Sequence, residues 1–173
     1  MGGSVRPIRR HHLQKRIARS LLEEIRRLYP SFPLANVDIV EEAVFEDDVV
    51  VYILNGKPSF FRYEGRLVPL LTLLLDLGYE WLPQVYVDRG ASKAMVRGAD
   101  LMIPGIRGVK GVFQSGSVVV IVDEESKAPV AVGEALMDSK SLELALSTSG
   151  KGRALKNIHH VGDKLWGIAN LIR

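Results

Sequence analysis

Between His11 and Tyr29 apolar residues recur every three or four positions, at Leu13, Ile17, Leu21, Ile25 and Leu28. That spacing predicts one amphipathic helix, ended by Pro30. Lys15, Arg16, Arg19, Arg26 and Arg27 fall off the stripe and therefore face water or a partner, not the core. The apolar period then shortens. VDIVEEAVF, VVVYILN and PSFFRY read as three strands of a small meander, joined by the acidic turn Glu46-Asp47-Asp48 and by Asn55-Gly56. Pro69 opens a short apolar helix that stops before Gly78 and covers one face of these strands.

Trp81-Leu82-Pro83 is the expected boundary, because proline disfavours helix continuation and a new pattern starts at Gln84. A free tether would be rich in Gly and Ser. This apolar one predicts that the units on either side, residues 1–83 and 84–173, pack against each other. Beyond it, Asp88 is placed to cap a short helix with Arg89, Lys93 and Arg97 at four-residue spacing, and Gly98 ends that helix. Leu101 to Ile103 follows as a strand into a Pro104-Gly105 turn. SVVVIVD and APVAVGEAL are further strands, and with the Gly-rich connection GIRGVKGVFQSG they predict a small barrel-like sheet over a βαβ arrangement. The expected fold class is α+β.

Composition limits the function classes. A chain of 173 residues that is 47% hydrophobic can bury a real core, as one domain or two small ones. With no cysteine there is no disulfide framework and no thiolate metal site. The longest apolar run, LVPLLTLLLDLG, is interrupted by Pro69, Thr72 and Asp76 and falls short of the roughly 20 residues a membrane helix needs. No apolar signal segment opens the chain, so the expectation is a cytoplasmic protein with no membrane partner. Net charge is +3, unevenly spread: the first 29 residues hold 8 Lys and Arg against 2 Glu, and the rest hold 15 against 18 acidic residues. Such asymmetry marks a surface that meets phosphates or a solvated helix face.

Catalytic constellations fail on geometry. His11-His12 and His159-His160 are adjacent pairs, which diverge by about 100° on a helix and point to opposite faces on a strand, so neither chelates one ion easily. Asp38, Glu41, Glu42, Glu46, Asp47 and Asp48 lack calcium-loop spacing and read as a solvated hairpin face. GVFQSGS has the glycine spacing of a phosphate loop but no Lys before its Ser, and it lies between strands. Trp81 and Trp166 read as packing residues. No catalytic residue, metal site or cofactor is expected.

The stretch VDRGASKAMVRGADLMIPG, residues 87–105, resembles the opening of a PUA domain, the RNA-binding module of pseudouridine synthases and archaeosine transglycosylases, with GRALKNIHHVGDKLW as its closing segment. The whole chain is similar to the malignant T cell-amplified sequence family of translation-associated proteins, through VDRGA, RGADLMIPGI and KNIHHVGDKLW. That resemblance implies an N-terminal pre-PUA domain followed by a PUA pseudo-β-barrel. It implies an RNA partner, tRNA or ribosomal RNA, and with it the small ribosomal subunit and a translation-factor-like protein. Carried over by motif, the RNA-binding ledge comprises Lys93, Arg97, Gly98, Ala99, Asp100, Leu101, Met102, Pro104 and Gly105, with Leu101 and Met102 against an unstacked base. Lys151 and Arg153 extend it along a strand edge, and the α-helical cations Lys15, Arg16, Arg19, Arg26 and Arg27 form a secondary basic surface. Two rivals stand beside this reading: a tRNA-modifying enzyme of the transglycosylase or pseudouridine synthase type, and an interaction scaffold using the acidic hairpin at 38–48.

Overall fold

The computed structural model describes residues 5–172. Its first half contains β1 (Arg9–His12), α1 (Lys15–Leu28), β2 (Val40–Val44), β3 (Val50–Leu54), β4 (Lys57–Tyr63), β5 (Arg66–Pro69) and α2 (Leu71–Leu77). The strands form an antiparallel sheet in sequence order. Asn55 and Gly56 both take positive φ, the two-residue turn that the right-handed twist of a hairpin favours, and Glu64-Gly65 repeats it between β4 and β5.

Two features of the helix expectation are corrected. Residues 9–12 form an edge strand and α1 begins only at Lys15, because the basic run finds acidic neighbours across the ladder. Arg10 binds Glu41 in a two-point contact of 3.0 and 3.2 Å, and Arg9 approaches Glu42 at 3.6 Å. The buried stripe is also rotated. Leu21 and Ile25 are buried, with Ala18 and Leu22 packed beside them, while Ile17 is left 52% and Leu28 39% exposed. Arg62 on β4 causes part of this, gripping Glu24 at 2.6 and 2.8 Å and so fixing which side of α1 meets the sheet.

The second half contains β6 (Gln84–Val87), α3 (Arg89–Val96), β7 (Leu101–Met102), β8 (Ile106–Lys110), β9 (Val118–Asp123), β10 (Pro129–Ala135), α4 (Ser139–Ser147), β11 (Arg153–His160) and α5 (Lys164–Leu171). Its six strands run β7-β11-β10-β9-β6-β8, and only β6 and β9 pair in parallel. This is the barrel-like sheet expected of the α+β chain, curled around α3 with Met95 at its centre. The run VVVIV on β9 is apolar at every position because both of its faces are covered. Val119 and Ile121 fill the barrel, whereas Val118, Val120 and Val122 join Leu71, Leu74, Phe60 and Ile168 in a core shared with the first half.

Polar contacts lock the same junction. Three acids of the hairpin are engaged within the chain: Glu41 and Glu42 take the arginines of β1, and Asp47 takes Lys164 at 2.7 Å. Arg66 reaches the Gly116 carbonyl and approaches Glu134 at 3.3 Å. His159 is fully buried. Its Nδ1 lies 2.9 Å from the Asp163 carboxylate and its Nε2 accepts the Leu71 N–H at 3.1 Å, so the imidazole is neutral and protonated at Nδ1. The ring thus satisfies a donor at the first turn of α2 that has no partner inside its own helix. Asp163 also caps α5, accepting from the Trp166 N–H at 2.8 Å and from the His160 N–H at 2.9 Å.

Burial of Asp163 opposes ionisation, but the bonds from His159 and the two backbone N–H groups outweigh it and hold the carboxyl below the usual aspartate range. A carboxyl depressed in the folded state contributes stability above its unfolded pKa, and that stability is lost as pH falls through the folded value. Urea unfolding should therefore show stability draining away below about pH 4. Asp163→Asn is expected to lower stability at neutral pH and to flatten this acid limb; an unchanged limb would refute the assignment. His159→Ala strands the Leu71 N–H and leaves a cavity, at an expected cost of about 2–4 kcal/mol.

Candidate nucleic-acid interface

The surface predicted from residues 87–105 is built around one helix end. Asp88 caps α3, its Oδ1 accepting from the Ala91 N–H at 2.8 Å, while its Oδ2 holds Arg107 at 2.9 Å. At the other end the Gly98 N–H bonds to the Met95 carbonyl at 2.9 Å and the Ala99 N–H to the Ala94 carbonyl at 3.1 Å. This double bond pattern needs the left-handed backbone at Gly98, whose φ is +90°. A Cβ on Gly105 would lie 2.6 Å from the Ala91 methyl, so glycine there lets the Ile103–Gly105 turn press against α3.

The loop after Gly98 is clamped to β11. Asn157 donates through its side chain to the Met95 and Ala99 carbonyls, at 3.0 and 2.9 Å, and through its backbone N–H to Asp100 at 2.9 Å. Asp100 also accepts from Arg153 at 2.9 Å. The Asn157 N–H, helped by Arg153, holds the Asp100 carboxyl below the usual aspartate range despite partial burial. Asn157 was not singled out by sequence; an asparagine in the middle of a strand is unusual and was the available signal.

The predicted cations are open. Lys93, Arg97 and Lys151 are exposed, and among the described residues no ion pair reaches any of them. Arg89, Lys93, Val96 and Arg97 line a shallow groove whose one acid, Asp123, is already engaged by Ser92 at 2.6 Å and by the Ser126 N–H at 2.8 Å. Gly98 and Ala99 are exposed beside them, and the His160 ring lies 3.3 Å from where a Gly98 Cβ would stand.

One member of the predicted ledge, Leu101, is corrected, and the surroundings of several others are defined. β7 alternates, so Leu101 turns into the barrel at 1% exposure and Met102 turns out at 47%. Leu101 is a packing residue and cannot meet a base. Asp100 is turned to Asn157 and Arg153, so its part is to shape the loop. Arg153 keeps one face in solvent but is tied to that carboxylate. Pro104 and Lys151, both exposed, line a cleft with Arg107 and Leu146.

On α1, Lys15, Arg16, Arg19, Arg26 and Arg27 are all exposed. At 100° per residue they span roughly 120° of the helix opposite the buried stripe, a basic face interrupted by the exposed Glu23. Among the described residues there is no grouping of three His, Asp or Glu side chains able to hold a metal, and no helix long and apolar enough to cross a membrane.

A six-stranded curled sheet around a short capped helix, with a glycine turn and a cation row at its open end, defines a PUA domain, and the PUA family model matches residues 83–161. Residues 9–77 match the model of a domain of unknown function, DUF1947. Malignant T-cell-amplified sequence 1 of Rattus norvegicus is 30% identical over 158 residues, covering 88% of this chain and 84% of that protein. Translation machinery-associated protein 20 of Saccharomyces cerevisiae is 28% identical over 176 residues, covering 92% of each. The crystal structure of a PUA domain from Aeropyrum pernix K1, a tartrate complex, superposes with a TM-score of 0.87 at 34% identity, covering 95% of this chain and 93% of that one. The chain belongs to the malignant T-cell-amplified sequence family of PUA proteins.

Asn157→Ala removes two of the bonds that hold the ledge loop. It is expected to cost about 1–3 kcal/mol and to speed amide exchange selectively at residues 98–100. Exchange that rises evenly over the whole second half would contradict a local clamp.

Proposed function

We propose that this is a non-catalytic, cytoplasmic RNA-binding protein of the translation machinery, organised as a pre-PUA unit, residues 1–83, and a PUA unit, residues 84–173. It grips tRNA or ribosomal RNA through Lys93, Arg97, Gly98, Ala99 and Met102, with the basic face of α1 as a second contact. The small ribosomal subunit and a translation-factor-like protein are the partners this reading names. The observation that carries it is the pair Lys93 and Arg97, exposed and without internal ion pairs beside a backbone turn that has no side chain at Gly98. Cations so placed attract phosphate, and the bare turn admits a sugar-phosphate chain to close range. Met102 offers an apolar surface to an unstacked base. A relative named for its association with the translation machinery supports the setting.

Lys93→Glu and Arg97→Glu should each weaken binding of bulk tRNA or ribosomal RNA. Each should also flatten the dependence of log affinity on log salt by about 0.7–0.9 units per lost phosphate contact. Filter binding across a salt series measures this, and an unchanged slope in both variants would overturn the ledge. Any nucleoside change in tRNA incubated with the pure protein would overturn the non-catalytic reading.

A further inference from the structure

A second recess, of about 510 Å³, lies between the two halves, away from the ledge. Leu28 and Pro30, at the end of α1, form one rim, and Val112 and Ser115, in the connection from β8 to β9, form the other. Trp81 and Pro83 close the back and Arg66 the floor. Leu28 is 39% and Val112 80% exposed, so apolar side chains stand in water on both sides of the opening.

The recess is preformed. Trp81 packs edge-on against Tyr29 and Phe32, with centroids 5.6 and 4.7 Å away, and its indole N–H is spent on the Gly78 carbonyl at 3.0 Å. Arg66 bridges to the Gly116 carbonyl and Glu134 across the floor, which fixes the spacing of the walls. Polar groups remain for a ligand. Ser117 Oγ accepts from the Gln114 N–H at 3.1 Å and keeps its own proton to donate, and Ser115 is exposed.

The surrounding charge is mostly of one sign. Arg27 is exposed in the last turn of α1, immediately before Leu28, and Lys110 is exposed two positions before Val112. Glu134 is taken by Arg66, and the Glu80 carboxylate folds back over Gly78. An aromatic and proline-lined recess with hydroxyls among its lining and an exposed cation in the chain just before each rim matches a flat heterocycle with phosphates on either side.

We infer that this recess takes one unpaired base of single-stranded RNA, with the adjoining phosphates on Arg27 and Lys110. The inference rests on the RNA-binding reading but concerns a site separate from the ledge.

The chain has two tryptophans, so Trp166→Phe leaves Trp81 as sole reporter. In that background a labelled octauridylate is followed by anisotropy for total binding and by Trp81 emission for occupancy of the recess. Binding should quench Trp81, and a duplex RNA of equal length should bind without quenching. Val112→Glu, at an exposed position, should weaken octauridylate binding about tenfold and remove the quench, with an unchanged circular dichroism spectrum. Lys93→Glu should weaken binding yet keep the quench at saturation. In the otherwise unsubstituted chain, Trp81→Phe should abolish the emission change. Saturating anisotropy with steady Trp81 emission would overturn the recess and leave the ledge standing, whereas no anisotropy change with any RNA would overturn both. A quench produced by an acidic apolar peptide and not by RNA would reassign the recess to a protein partner and overturn the inference.

Discussion

One neutral imidazole joins the two halves of this molecule. His159 is sealed from the surface within the shared core, donating to Asp163 and accepting from the backbone of α2. Each bond makes the other necessary. The carboxylate fixes which ring nitrogen carries the proton, and only that tautomer leaves a lone pair for Leu71. Because Asp163 also starts α5, the strand that ends at His160, the terminal helix and α2 are set by one cluster of polar atoms in an apolar junction.

The open surface owes its shape to this arrangement. β11 carries His159 toward the junction and, two residues earlier, Asn157 toward the turn after α3, with His160 bordering Gly98 on the outer side. The register shift between these two positions breaks the alternation that would put them on one face, and a single strand thereby couples the packing of the halves to the geometry of the ledge. The cations themselves need no such support. Lys93 and Arg97 are held only by the backbone of a well-capped helix, so they stay in solvent and remain available to phosphate.

Much of this was legible in the residues. Asp88, Gly98 and the Pro104-Gly105 turn act locally, through caps and backbone dihedrals, and were placed correctly from their neighbours alone. His11 and His12 were misread as helix because their strand partners, Glu42 and Glu41, lie some thirty positions away. Ile17 and Leu28 were misassigned to the core for a similar reason, as the Arg62 contact with Glu24 sets the rotation of α1. Leu101 was placed on the wrong side of a two-residue strand, where too few positions exist to read a period. The sequence carried the adjacency of His159 and His160 but not the division between them, one ring sealed in the core and the other at the rim of the glycine turn.

β9 has a consequence for how such a chain can change. A strand that is apolar on both sides belongs to two interiors at once, with odd positions answering to the barrel and even ones to the junction. Severing the chain near Pro83 would strip the valines at 118, 120 and 122 of their cover and leave a sticky slab on either fragment. Each portion supplies the cover that the other's apolar face needs.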